Sequence, residues 1–150
     1  MTNLPSFIPG KILTMKTFPQ RIEAMNNTFK LPTNSNPTDQ GNKRLRQIIK
    51  VLQDEVSELE EALYMEEGSM KRFIAIADCL GDLNVYIRSE ALRWGLPHEE
   101  VLDAIMDSQE SKLVDGKPLM AEDGSKFIKG PNYIAPEPRI QTILEKYIDA

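Results

Sequence analysis

The residues with chemistry to offer are acidic, and they fall in two clusters. Asp54, Glu55 and Glu58 lie in the run Asp54-Glu55-Val56-Ser57-Glu58-Leu59-Glu60-Glu61. Asp78 and Asp82 lie in Phe73-Ile74-Ala75-Ile76-Ala77-Asp78-Cys79-Leu80-Gly81-Asp82-Leu83. Both stretches read as helix. Spacings of three and four place each cluster on one helix face. The second stretch is apolar almost all round, so its helix is expected to be buried. A buried carboxylate needs a proton, a cation or hydrogen bonds. No Lys, Arg or His lies between Phe73 and Ile87 to neutralise Asp78 and Asp82 locally. An acidic helical run alone is usually a solvated face. Two neighbouring helices facing one cavity with carboxylates instead suggest a shared metal ion. Oxygen donors suit a hard cation such as Mg²⁺, with Mn²⁺ as a substitute. Mg²⁺ keeps waters and takes further ligands from phosphates, which points to a phosphorylated substrate.

The elements that position these residues are predicted as follows. Ile22, Met25 and Phe29 recur at helical spacing from Pro19 to Phe29. Leu31 to Gly41 has a loop composition. A second helix is expected from about Asn42 to Glu67, with an apolar stripe through Leu45, Ile48, Ile49, Leu52, Val56, Leu59 and Leu63. Gly68 breaks it and Ser69 caps a third helix that runs to about Trp94. Gly95 and Pro97 separate that helix from a fourth, ending near Leu113. Beyond it, Asp115-Gly116 and Asp123-Gly124 mark turns in a hairpin or irregular flap, and Arg139 to Ile148 form a last short helix. The fold class is therefore all-α. One domain fills residues 1–150, with an irregular N-terminal arm (1–17) and a loop-rich C-terminal tail (114–138).

Composition narrows the function. The net charge of −5 argues against a nucleic-acid partner, which needs a basic face. It leaves room for an anionic substrate, because a bound cation reverses the local sign. No apolar run is long enough for a membrane span, and Pro5 and Pro9 interrupt any signal-like segment. A cytoplasmic location is the expectation. Cys79 is the only cysteine and reads as a small core residue. Gly81 reads as a close-packing residue, Trp94 as core or interface, and Asn26 as an exposed side chain that could otherwise contact a base edge. His98 is expected to have no catalytic role.

Gln53 to Leu59, followed by Leu80-Gly81-Asp82-Leu83, resembles the all-α nucleoside triphosphate pyrophosphohydrolases. This MazG-like superfamily includes phosphoribosyl-ATP pyrophosphohydrolase. Its pattern is Glu-Glu-x-x-Glu on one helix and Glu-x-x-Asp on the next. The tail from Ser111-Lys112 through Asp115-Gly116-Lys117 to Lys129-Gly130-Pro131-Asn132-Tyr133 is similar to that of bacterial and phage members. The resemblance implies a Mg²⁺-dependent cleavage between the α and β phosphates of a nucleoside triphosphate. It implies Glu55, Glu58 and Asp82 as metal ligands and puts Asp54 at the first Glu position. A carboxylate not fully committed to the metal can orient or deprotonate the attacking water, and Asp54 is the expected one. The resemblance implies Lys112, Lys117 and Lys129 on the outer phosphates, with Gln109 and Asn26 as further possible substrate contacts. The family's second-helix Glu is Cys79 here; Asp78 is expected to replace it as a ligand. The bundle is expected to complete its core as a homodimer or tetramer. Two readings stand beside this one: phosphoribosyl-ATP hydrolysis, and a non-enzymatic helical interaction module. A di-iron bundle is excluded, because Glu-x-x-His on two helices cannot be built with one histidine.

Overall fold

The acidic stretches lie on the two arms of a helical hairpin. In the computed structural model, which describes residues 16–148, α2 (Gly41–Glu61) ends in a 3₁₀ turn (Ala62–Tyr64) and leads into α3 (Met70–Arg93). Arg44, near the start of α2, meets Glu90 near the end of α3, and Glu55 lies by Cys79. Partners thus move down one helix as they move up the other, which makes the pair antiparallel. Ser69 caps α3 by accepting from the Arg72 amide at 3.2 Å, as its position in the sequence suggests.

Three further helices pack around this hairpin. α1 (Phe18–Thr28) lies on α3 and begins with a capping box, in which Thr17 and Gln20 serve each other's backbone amides. The loop from Leu31 to Gln40 ties itself to the exit of α3. The Asn34 and Thr38 amides donate to the Leu92 and Trp94 carbonyls, both at 2.9 Å, so the Trp94 carbonyl at the helix end gains a partner and the Leu92 carbonyl, which also accepts from Gly95, a second one. Gly95 has φ +66°, and a Cβ there would overlap the Asn36 carbonyl. α4 (His98–Glu110) and α5 (Glu137–Ile148) form a second pair, joined by the Glu100 carboxylate, which accepts from Lys146 and Tyr147. The tail between them pairs at two isolated bridges, Val114 with Lys117 and Met120 with Phe127, in place of a regular hairpin.

α4 touches α3 and α5 but not α2. The structure corrects the expected burial of α3: only Cys79 and Ala91 are enclosed. Phe73 is 58% exposed, Ile74 61% and Tyr64, beyond α2, 90%. Two long helices and one short one cover a single face of each other; the remaining apolar side chains stay uncovered within one chain. Gly81, read as a close-packing residue, meets open space among the described residues. No helix among them is long and apolar enough to cross a membrane. The N-terminal arm lies outside the described residues except for residues 16 and 17.

Candidate metal centre

Each side chain of the acidic site has its own depth. Glu55, on the inner face of α2, is only 8% exposed. Its Oε2 is buried and has no hydrogen-bond partner among the described residues. One turn later on α2, Glu58 reaches the same point from the solvent side and is itself exposed. Cys79 meets them from α3. Ligand atoms of Glu55, Glu58 and Cys79 all lie within 4.8 Å of one another, the spacing of donors around one ion.

The surrounding field has one sign. The Glu55 carboxyl is held above its ordinary range, first by burial and then by Glu58, Asp82, Asp78 and Asp54. Burial and the charges of Glu58, Glu55, Asp78 and Asp82 raise the Cys79 thiol as well. Two carboxylates and a thiol therefore meet around an unpartnered oxygen, in the field of Asp54, Asp78 and Asp82. The spacing and the donor types are those that could hold a cation.

The expected ligands separate by geometry. Glu55 and Glu58 sit together. Asp82, half-buried one turn beyond Cys79, lines a cavity of about 450 Å³ with Met25, Phe29, Arg44, Tyr86 and Arg93. Asp78 is exposed, contrary to the burial expected of it, and lies in the field of Glu55 without joining the three clustered donors. Cys79, read from sequence as a packing residue, takes the place that Asp78 was expected to fill. Its signal was in the spacing. Cys79 and Asp82 stand at the family's Glu-x-x-Asp interval, and residue 78 is turned from residue 79 by about 100°. Asp54 is exposed and pairs with Lys50 at 2.8 Å.

The remaining candidates lie elsewhere. Asn26 is 0% exposed, which overturns the exposure expected of it. Its Nδ2 donates to the Ser89 carbonyl at 3.3 Å and its Oδ1 accepts from the Ser89 hydroxyl at 2.7 Å. Both ends of its carboxamide are therefore engaged in packing α1 on α3. Gln109 and Lys112 meet each other at 2.7 Å and line a small pocket at the end of α4 with Pro118 and Phe127. Lys129 lies over the Tyr133 ring at 4.6 Å, and Lys117 is exposed. Among the described residues no hydrogen bond or ion pair links these three lysines to the acidic site. Compared with known protein families and curated proteins, the chain matches no family model and no curated sequence.

Proposed function

We propose that the protein is a divalent-cation-dependent nucleoside triphosphate pyrophosphohydrolase of the all-α type, cleaving between the α and β phosphates. The observation that carries this reading is the buried Glu55 carboxylate. One of its oxygens has no partner among the described residues, and like-charged groups from two helices act on it. A structural carboxylate would be given a donor in such a place. One kept without a donor is suited to a ligand that brings positive charge.

Glu55 and Glu58 would hold the ion, with Asp82 beside them on the cavity wall. The resemblance implies Mg²⁺, with Mn²⁺ as a possible substitute. The carboxylates fit such an ion, whereas the Cys79 thiol does not. When bound, the ion would offset charge on the phosphates and acidify a water. The protein's own groups do the rest. The cavity beside Asp82, with Phe29 and Tyr86 in its lining, would take the nucleoside. Asp54 is solvent-facing and is the base that accepts the proton of the attacking water. Water adds across the α–β anhydride: its hydroxyl stays with one fragment, and the bridging oxygen leaves with the other. The products are a nucleoside monophosphate and pyrophosphate.

Lys112, Lys117 and Lys129 would bind the outer phosphates. Among the described residues of one chain no hydrogen bond or ion pair links them to the acidic site, so this role would be filled in the site of a second copy. The uncovered apolar residues of α3, Phe73 and Ile74 among them, support such a homo-oligomer. The proposed setting is the nucleotide pool of the cytoplasm.

The test is pyrophosphate release from a panel of ribo- and deoxyribonucleoside triphosphates, with Mg²⁺, Mn²⁺ or chelator, for wild type and Glu58→Gln. Cation-dependent release of pyrophosphate and monophosphate, lost in the variant, is expected. Release of single phosphate would mean that a different bond is cut. No turnover of any triphosphate would move the assignment to phosphoribosyl-ATP, and absence of cation binding as well would leave a helical interaction module.

A further inference from the structure

The donor set around Glu55 is not one that Mg²⁺ would select. Mg²⁺ takes oxygen ligands in near-octahedral order. The third group meeting Glu55 and Glu58 is sulfur, the Sγ of the only cysteine in the chain. A thiolate is a soft donor that favours Zn²⁺ and similar ions over Mg²⁺. We infer that Cys79 Sγ is a metal donor, and that with Glu55 and Glu58 it forms a site for a borderline divalent transition ion, of the Zn²⁺, Fe²⁺ or Co²⁺ class, in preference to Mg²⁺.

Three observations meet here. The ligand atoms are close enough to surround one ion. The Oε2 of Glu55, a side chain more than nine-tenths buried, is unpartnered within the cluster. Cys79 is itself buried yet has carboxylates as neighbours, where a packing cysteine would have apolar ones. Three protein donors with a position left open is the arrangement of catalytic zinc sites, in which water or substrate completes the shell. Glu58 is exposed, so solvent reaches the cluster from its side. On binding, the ion replaces the thiol proton, which passes to solvent. The inference deepens the pyrophosphohydrolase reading, since it names the ion that reading requires. It stands on the geometry even if the substrate is different.

The experiment is titration of the chelator-stripped full chain with Co²⁺, followed by absorption. A thiolate-to-Co²⁺ charge-transfer band in the near ultraviolet is expected to grow to saturation; with one cysteine in the chain, its source is Cys79. Cys79→Ser should abolish the band. Its preference for Co²⁺ over Mg²⁺ in calorimetry should fall by about tenfold or more, since loss of even an outer-shell partner costs that much. Glu55→Gln retains the thiol and should also weaken Co²⁺ binding. Co²⁺ binding without the band, no Co²⁺ binding, or an unchanged metal preference in a folded Cys79→Ser would each overturn the inference. The wild-type spectrum is decisive without any variant. A band without triphosphate turnover would uphold the site and remove the proposed reaction; turnover without the band would do the reverse.

Discussion

Two glutamates at the α2–α3 interface are both largely withdrawn from water, and the hairpin treats them in opposite ways. Glu90, toward the open end, is surrounded by donors. Arg44 reaches it with Nε at 3.1 Å and Nη2 at 2.5 Å, and the Trp94 indole donates at 2.7 Å. Arg93 adds a longer contact at 3.8 Å. Glu55, on the same seam, has none of this. The charges that act on it are negative, and one of its oxygens has no partner among the described residues. A buried carboxylate with basic partners holds elements together; one surrounded by its own kind gives up stability in the absence of a cation. On the proposed reading, the difference separates a structural charge from a functional one within a single helix pair.

The largest effect should come from removing the functional charge. Glu55→Gln is expected to lower pyrophosphate release by at least about 100-fold, because a ligand should matter no less than its outer-shell partners do. Circular dichroism of the same variant should show full helicity. If it loses its fold instead, Glu55 is structural and the contrast fails. The opposite substitution is Arg44→Met, which strips Glu90 of its main partner. It should cost ~3 kcal/mol in denaturant unfolding, the usual penalty for orphaning one member of a buried pair. A cost near zero would mean that the Trp94 and Arg93 contacts suffice.

The pH dependence sharpens the contrast in sign. The Glu55 pKa is raised in the folded chain, mainly by burial and then by Glu58, Asp82, Asp78 and Asp54. Its proton therefore stabilises the cation-free fold. That contribution is complete below the unfolded value of about 4.5 and is lost as pH rises through the higher folded value. Glu100, between α4 and α5, is lowered by hydrogen bonds from Lys146 and Tyr147. Its contribution is present above about 4.5 and disappears as pH falls through the lower folded value. In cation-free melts, Glu55→Gln should flatten the loss on the alkaline side and Glu100→Gln the loss on the acid side. Melts in which both variants flatten the same limb would contradict this assignment. The smallest effect belongs to Lys50→Ala, which frees Asp54 from an exposed pair and should change stability by less than about 0.5 kcal/mol.

Much of the scaffold was legible in the sequence because its signals are local. Ser69, Gly68, Gly95 and Pro97 bound α3 and α4 close to where the sequence puts the breaks. The α2 stripe placed Ile48 on the buried side. Failures came where distance in sequence matters. Nothing near Asn26 announces Ser89, which buries it, and nothing in the Leu31–Gln40 loop announces that its amides complete α3. The apolar run around Asp78 read as a buried helix, but hydropathy does not distinguish burial within one chain from surface left for another. Glu55 and Glu58 were legible from their spacing. Cys79 was marked only by its place three residues before Asp82; a cysteine on an apolar helix is ordinarily core, and only the facing helix shows it among carboxylates.

The central claim is that Glu55 is kept without a donor so that a cation can take that place. Thermal unfolding of the chelator-stripped chain, with and without saturating Co²⁺ or Mg²⁺, tests it most directly. A ligand bound only by the folded state contributes about 2.7 kcal/mol at a hundred times its Kd. The account requires a clear rise in Tm for wild type with at least one of the ions and little or none for Glu55→Gln, whose cation-free Tm should already be the higher of the two. A wild-type Tm unmoved by either ion, or an equal rise in the variant, would contradict it.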